Sequence, residues 1–271
     1  METAELPGVG TLLREWRQHR RLSQLQLALD ADSSARHVSY VETGRARPSR
    51  EMVLRLAETL DVPLRERNTL LLAAGYAPAF RESAMDAAEM AAVRSALDVM
   101  LTAHEPYPAV VVDRVWNVVS ANEAMGALLD GLPAGLAEPP ANVYRMVLHP
   151  EGLLTRVVNA DEVRHHLLDR LRRQARASGD AELRALHEEV AAYGPWVEEP
   201  EGHGAGGQAA GPVALPVRLR GPHGELSMFS TIATFGAPAD VTLSELAIES
   251  FFPSDEATAR AFRALAEERA R

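Results

Sequence analysis

The chain has 271 residues and a formal net charge of −10, and this length favours two domains over one. It contains no cysteine, which excludes disulfide bridges, cysteine-based zinc sites and thiol chemistry, and we expect a reducing, cytoplasmic location. All 28 basic residues are arginine, so a P-loop lysine and Schiff-base chemistry are excluded. No apolar run approaches the roughly 20 residues of a membrane span, and we expect no signal peptide.

The charge is divided unevenly along the chain. Residues 9–50 contain eight arginines and four acidic residues, a net charge of +4, whereas the remainder contains 20 arginines and 34 acidic residues, a net charge of −14. A locally basic segment attracts DNA phosphates, and an acidic segment is repelled by them. The distribution therefore predicts a nucleic acid-binding module near the N-terminus and no such contacts elsewhere.

The segment from Ser23 to Gly44 is typical of two short helices joined by a tight turn. Ser23 precedes an apolar-periodic run and can cap a helix. Asp32 follows that run, and aspartate tolerates a left-handed turn conformation. Ser33 or Ser34 can cap the second helix, and Gly44 can end it. Polar residues at the front of the second helix suit entry into the DNA major groove.

Amphipathic helices are predicted on both sides of this segment. Leu12, Leu13 and Trp16 give a first helix, the pair Pro48-Ser49 starts a fourth, and residues 64–74 give a fifth. Residues 9–75 resemble the DNA-binding domain of the Cro/phage-repressor-like (XRE) family, through SQxxLA, S-x-x-x-V-S-x-x-E-x-G and R-x-R-P-S. The family usually has Gly at the position of Asp32, so we expect a slightly strained turn there.

This resemblance implies the DNA-contacting residues. Arg36 contacts a guanine edge or a phosphate, and Tyr40 contacts a base or only packs. Gln24 meets a phosphate, while Arg45 and Arg47 reach the backbone or remain solvated. The predicted DNA-binding set is Gln24, Ser34, Ala35, Arg36, His37, Tyr40, Arg45 and Arg47. The resemblance also implies a partly buried structural ion pair between Arg17 and Glu42.

We predict a helix-turn-helix domain at 1–76, a linker at 77–85 and a second domain at 86–271. Pro78 prevents the preceding helix from continuing. The helix predicted at 86–104 could be a connector, a dimer contact or a lid on the second domain's core.

Strands and helices are mixed in the second domain. Strands are predicted at 108–113, 115–119, 213–220, 225–235 and 241–249, and helices from Asn122, at 159–177, 180–193 and 254–268. Residues 202–211 read as a low-complexity loop, and residues 222–224 as a hairpin turn. A hairpin followed by an asparagine-capped helix resembles the opening of PAS sensor domains.

Taken with the N-terminal module, the runs PYPAVVVDRVWNVVSAN and NVYRMVLHPEGL resemble the MmyB-like group of bacterial transcription regulators. The resemblance implies a five-helix, all-α N-terminal domain and an α+β, PAS-like ligand-binding domain with an antiparallel sheet and a helical insertion. It implies operator DNA as a partner, a homodimer, no cofactor, and an apolar cavity for a fatty-acid-like ligand. The alternative is a regulator whose second domain acts only in dimerisation or partner docking.

Apolar residues of the second domain are candidates for the cavity lining, although each could equally belong to the core. The predicted set is Trp116, Met125, Leu129, Tyr144, Val147, Leu167, Leu171, Phe229, Ile232 and Phe235. Arg145 is the candidate partner of a ligand carboxylate, because it lies within an otherwise apolar segment, and Arg156 is the second candidate.

The histidines do not form a catalytic or metal-binding pattern. His165 and His166 are adjacent on a predicted helix and therefore face different directions. The run from His187 to Glu189 lacks the second histidine of a zinc-protease helix. We therefore expect no enzyme activity, no catalytic residues and no metal site.

Overall fold

The computed structural model describes residues 7–194, 215–221 and 224–269. The chain forms two compact units, one comprising Met1–Ala84 and Ala237–Ser244, the other Met85–Gly236 and Glu245–Arg271. The predicted loop at 202–211 and the first two residues of the predicted turn at 222–224 lie outside the described residues.

Five helices form most of the first unit, as predicted. They are α1 (Val9–His19), α2 (Gln24–Asp30), α3 (Ala35–Glu42), α4 (Arg50–Thr59) and α5 (Leu64–Ala73). Their buried faces share one apolar core that includes Leu13, Leu27, Val38, Leu56 and Leu70. This confirms the all-α, five-helix fold expected for residues 1–76.

Capping residues set the boundaries of α2 and α3. The hydroxyl of Ser23 accepts a hydrogen bond from the amide of Gln26, and Ser34, not Ser33, caps α3 through the amide of His37. Asp32 in the turn between the two helices has a φ of +49°, the left-handed conformation predicted for it.

Only some of the apolar residues of α2 are buried in the core. Leu27 and Ala28 are buried, whereas Leu25 and Leu29 are 61% and 65% exposed. The helix therefore contacts the core through a narrower face than its leucine content suggests.

The remaining helices include a long inserted pair. They are α6 (Ala91–His104), α7 (Glu123–Leu129), α8 (Ala134–Ala137), α9 (Val143–Leu148), α10 (Ala160–Ser178), α11 (Ala181–Ala191), α12 (Val241–Ser244) and α13 (Glu256–Arg269), with 3-10 turns at Ala88–Met90 and Leu153–Arg156. All except α12 belong to the second unit.

A five-stranded antiparallel sheet is the centre of the second unit. Its strands are β1 (Ala109–Val112), β2 (Val118–Ala121), β3 (Val217–Gly221), β4 (Gly224–Thr234) and β5 (Ala247–Pro253), in the order β2-β1-β5-β4-β3. Helices α7 to α11 lie in the chain between β2 and β3. The α+β class, with an antiparallel sheet and a helical insertion, is confirmed.

The strand predicted at 115–119 is wrong in its first half. The carboxylate of Asp113 accepts hydrogen bonds from the amides of Val115 and Asn117 and closes a turn. Trp116 in this turn has a φ of +69°, so β2 begins only at Val118.

The strand predicted at 241–249 is wrong in a similar way. The carboxylate of Asp240 accepts hydrogen bonds from the amides of Thr242 and Leu243 and starts the short helix α12. The backbone of Val241 also donates to the carbonyl of Arg81 within the first unit. The strand β5 therefore starts later, at Ala247.

The side chains of buried asparagines link helices to the sheet through hydrogen bonds. The side chain of Asn122 caps α7 through the amide of Met125 and accepts from the amide of Ala109 at the start of β1. The side chain of Asn159, the residue before α10, makes no capping hydrogen bond. Instead its side-chain oxygen accepts from the amide of Arg218 in β3.

Candidate functional sites

A hydrogen-bonded ion pair joins the first three helices. The Nε atom of Arg17 lies 2.6 Å from Oε1 of Glu42, and Nη2 lies 2.9 Å from Oε2. The side-chain nitrogen Nε2 of Gln24 donates to the same Oε2 at 2.8 Å. Burial raises the pKa of Glu42, but the hydrogen bonds from Arg17 and Gln24 outweigh it, and the pKa lies below its ordinary value. The pair therefore also orients Gln24 at the first turn of α2.

One exposed pair occupies the outer face of α3. Arg36 and Tyr40 are one turn apart, and Nε of Arg36 donates to the Tyr40 hydroxyl at 3.1 Å. The guanidinium carbon lies 5.2 Å from the centre of the Tyr40 ring. At the start of the same helix, Ser34 is exposed, whereas Ala35 and His37 are half-buried.

The two arginines after α3 differ in their contacts. Arg45 is exposed. The guanidinium of Arg47 donates to the carbonyl of Ala74 at 2.9 Å and lies 5.5 Å from the ring centre of Tyr76. Arg47 thus fastens the end of α5, an intramolecular role that the sequence did not indicate.

An apolar cavity lies in the second unit, against one face of the sheet. Its volume is about 130 Å³, and helices α7, α9 and α10 cover it. Apolar cavities of about 150 Å³ bind small apolar molecules. Among the described residues, 18 apolar side chains and four polar ones line it, and the polar ones are His166, Arg170, Ser230 and Glu249.

Similarity to known families decides the class of this protein. Residues 93–265, more than half of the chain, match the MmyB-like transcription regulator ligand binding domain. The chain belongs to this family. Residues 13–67 also match a helix-turn-helix family. This MmyB-like regulator therefore combines a helix-turn-helix DNA-binding domain with a ligand-binding domain, the organisation of a ligand-responsive transcription regulator.

Other comparisons add no functional information. No curated protein matches the chain. A solved structure described as "Structure of an RNA-binding Light-Oxygen-Voltage Receptor" is 13% identical and is matched over 98% of this chain and 63% of its own, with a TM-score of 0.24. This chain therefore spans less than two thirds of that protein, and so weak a likeness carries no argument.

In the MmyB-like regulator, part of the predicted ligand set lines the cavity. These residues are Met125, Leu129, Val147 and Leu167. The residues of the set that are not among the cavity-lining side chains are Trp116, Tyr144, Arg145, Leu171, Phe229, Ile232 and Phe235. Trp116, Tyr144 and Leu171 belong instead to the surrounding core.

Strand alternation explains why Phe229 on β4 does not line the cavity. Met228 and Ser230 face the cavity, so Phe229 points to the opposite face and stacks on Phe252, with ring centres 5.5 Å apart. Ile232 shares the face of Ser230, yet it is 46% exposed and does not line the cavity.

The two predicted carboxylate partners are engaged elsewhere. Arg145 forms a two-point ion pair with Glu189 on α11, at 2.7 and 2.8 Å. The hydrogen bonds that Arg145 donates to Glu189 raise the pKa of the Arg145 guanidinium. Arg156 donates to the backbone carbonyl of Asp130 at 2.9 Å. Neither guanidinium is part of the described cavity lining.

A different arginine lies at the cavity wall. Nη1 of Arg170 lies 3.2 Å from Oε1 of Glu249, and Nε donates to the Tyr144 hydroxyl at 2.9 Å. The guanidinium carbon lies 4.3 Å from the ring centre of Trp116. The sequence contained the signal: Val163, Leu167 and Arg170 recur at helical spacing, so Arg170 shares the apolar face of α10.

The described residues show no group of three or more potential metal-ligating side chains. Within the same described ranges, no helix is long and apolar enough to cross a membrane. Both family matches are to transcription regulator domains.

Proposed function

We propose that this MmyB-like regulator binds its operator through the outer face of α3 and senses a fatty-acid-like molecule in the cavity of its second unit. The observation that carries the ligand proposal is the composition of the cavity wall. Its lining is almost wholly apolar, with Arg170, Ser230, Glu249 and His166 as the polar side chains. Such a wall suits an amphiphile with an apolar chain and one polar end, and a chain longer than a few carbons must widen the cavity of about 130 Å³ as it enters.

The DNA contacts are proposed from exposure and charge. Arg36 and Tyr40 are held together on the exposed side of α3, and a guanidinium can contact the O6 and N7 atoms of guanine. Gln24, whose side chain bonds Glu42, is the proposed phosphate contact. Ser34, Ala35, His37 and Arg45 complete the proposed surface, with Arg47 at its margin.

We also propose that the protein acts as a homodimer. A single helix-turn-helix module makes few base contacts, so operator affinity normally requires two modules on half-sites about 34–36 Å apart. On α6, Val99 and Met100 are 65% and 45% exposed. These apolar side chains make α6 the proposed dimer contact.

The ligand proposal is tested by mass spectrometry of a solvent extract of the purified full chain. We expect one apolar small molecule per chain. Leu167→Trp, which enlarges a cavity-lining side chain, should remove it, whereas Ile232→Trp, at an exposed position outside the lining, should retain it. An extract without such a molecule, together with no binding of added decanoic acid or decan-1-ol, would favour a domain that serves only dimerisation or docking.

A further inference from the structure

The polar part of the cavity wall contains a charge pair that is neutral overall. The carboxylate of Glu249 accepts hydrogen bonds from Nη1 of Arg170 at 3.2 Å and from the Ser230 hydroxyl at 2.9 Å. The side chains of Glu249 and Arg170 are 5% and 18% exposed. Among the described lining residues Arg170 is the one arginine, and its guanidinium is already paired with a carboxylate of the protein.

The position of this pair is fixed from several elements. Arg170 on α10 donates to the Tyr144 hydroxyl on α9, and its guanidinium carbon lies 4.3 Å from the ring centre of Trp116. Glu249 lies on β5, opposite Ile232 of β4 and Val110 of β1. Because the pair is held by α9, α10, β4 and β5 at once, a ligand cannot easily push Glu249 away from Arg170.

A fatty acid that enters with its carboxylate ionised would place a second negative charge against this one guanidinium. Two carboxylates that share a site cannot both remain ionised easily, and one of them then takes up a proton. Among the described residues, the other titratable or charged groups that act on this wall are Tyr144 on α9 and Arg173, His165 and His166 on α10.

His166 lines the same cavity and is the alternative proton acceptor. Burial, together with the positive charges of Arg170 and Arg173, lowers the pKa of His166. The positive charges of Arg170 and Arg173 therefore disfavour the imidazolium, and substitution of His166 tests it as the alternative acceptor.

We propose that the carboxyl group of a fatty-acid-like ligand binds at the Arg170–Glu249 wall together with one proton taken from solvent, which the ligand carboxyl and Glu249 share. No covalent bond changes, and the complex gains one proton relative to the free protein and the ionised ligand. This proposal rests on the ligand-binding function proposed above. It makes Glu249 the residue that decides whether the site accepts a charged or a neutral polar end.

The test is calorimetric titration of the full chain with decanoic acid and with decan-1-ol between pH 6.5 and 8.5, in two buffers of different ionisation enthalpy. Uptake of one proton makes the acid bind up to tenfold more weakly for each unit of rising pH. We expect at least a tenfold loss over the two units, close to one proton taken up at pH 7.5, and no pH dependence for the alcohol.

Two variants locate the proton. Glu249→Gln removes the second carboxylate, so the acid should bind this variant without proton uptake and with little pH dependence. His166→Gln should retain the wild-type pH dependence. Binding of decan-1-ol to each variant reports that the cavity is intact.

Three results would overturn the proposal. One is binding of the acid to the wild type with less than a threefold change across the pH range. Another is proton uptake that survives in Glu249→Gln but disappears in His166→Gln. If neither the acid nor the alcohol binds the wild type, the ligand-binding function fails and this proposal fails with it, whereas binding of the alcohol alone rejects only the carboxyl site.

Discussion

At the scale of single residues, Arg36 is the side chain on which sequence-specific DNA binding should depend most. It is exposed on α3 and held by the Tyr40 hydroxyl at 3.1 Å. Loss of one guanine contact costs about 1–3 kcal/mol and relaxes specificity at that base pair. We therefore expect Arg36→Ala to weaken binding of a selected operator by this amount at fixed salt, whereas Arg55→Ala, an exposed arginine on α4, should change it little. Equal effects of the two changes would remove Arg36 from the base contacts.

Glu42 should contribute most to the pH dependence of the stability of the first unit. Its folded pKa is lowered, so its contribution to stability is present above the ordinary pKa and disappears as the pH falls through the folded value. Glu42→Gln leaves Arg17 without a charged partner, and we expect a loss somewhat below the ~3–5 kcal/mol of a fully buried pair.

Hydrogen exchange of the α1 and α3 amides measures this loss. The difference between wild type and Glu42→Gln should be largest near neutral pH. It should shrink as the pH falls below the ordinary glutamate pKa towards the lowered pKa of the folded state. The exposed Glu58→Gln on α4 is the matched control. If the stability difference between the wild type and Glu42→Gln does not change with pH, the charge of Glu42 does not contribute to the stability.

At the scale of elements, close approach of two helices depends on one glycine. A Cβ atom at Gly10 of α1 would lie 2.2 Å from the carbonyl oxygen of Val41 in α3. Gly10→Ala must therefore push the two helices apart, and overpacking of this kind costs about 1–3 kcal/mol. Gly8→Ala, where no atom lies within 4 Å of the added carbon, is the control. Thermal unfolding of the full chain should show a lowered midpoint for the first variant only, and equal midpoints would contradict the close packing.

The boundaries of the helices and strands differ in how well they could be predicted from the sequence. Ser23, Ser34 and Gly44 act locally, through hydrogen bonds or backbone conformation within a few residues, so the helix-turn-helix boundaries were predictable. Residues 115–119 and 241–249 have strand-like composition, but the side chains of Asp113 and Asp240 close turns there. Composition does not reveal which aspartate captures a nearby amide.

The candidate cavity was predicted less completely, because its lining depends on tertiary placement. Arg145 lies in an apolar segment but pairs with Glu189, 44 residues further along the chain. A one-residue change in the register of β4 would turn Phe229 towards the cavity and Ser230 away from it. Arg170 and Glu249 are 79 residues apart, and only the fold brings them together.

At the scale of the whole molecule, the proposed function needs two chains on one operator. We expect the full chain to sediment as a dimer at micromolar concentration. Val99→Glu on α6 should shift it towards monomer and weaken operator binding, because it places a charge on the proposed apolar contact. Leu72→Glu, an exposed residue of α5, should leave the dimer intact. A wild-type monomer that binds its operator fully would exclude this arrangement.

The central claim is that occupation of the cavity changes DNA affinity, which requires the ligand to bind the two DNA-binding states unequally. The most direct measurement is operator affinity of the full chain at fixed salt and pH, with and without saturating decanoic acid, in wild type, Leu167→Trp and Ile232→Trp. We predict a change of at least tenfold, about 1.4 kcal/mol, in wild type and Ile232→Trp and no change in Leu167→Trp. Unchanged operator affinity while calorimetry shows the wild-type cavity occupied would contradict the account.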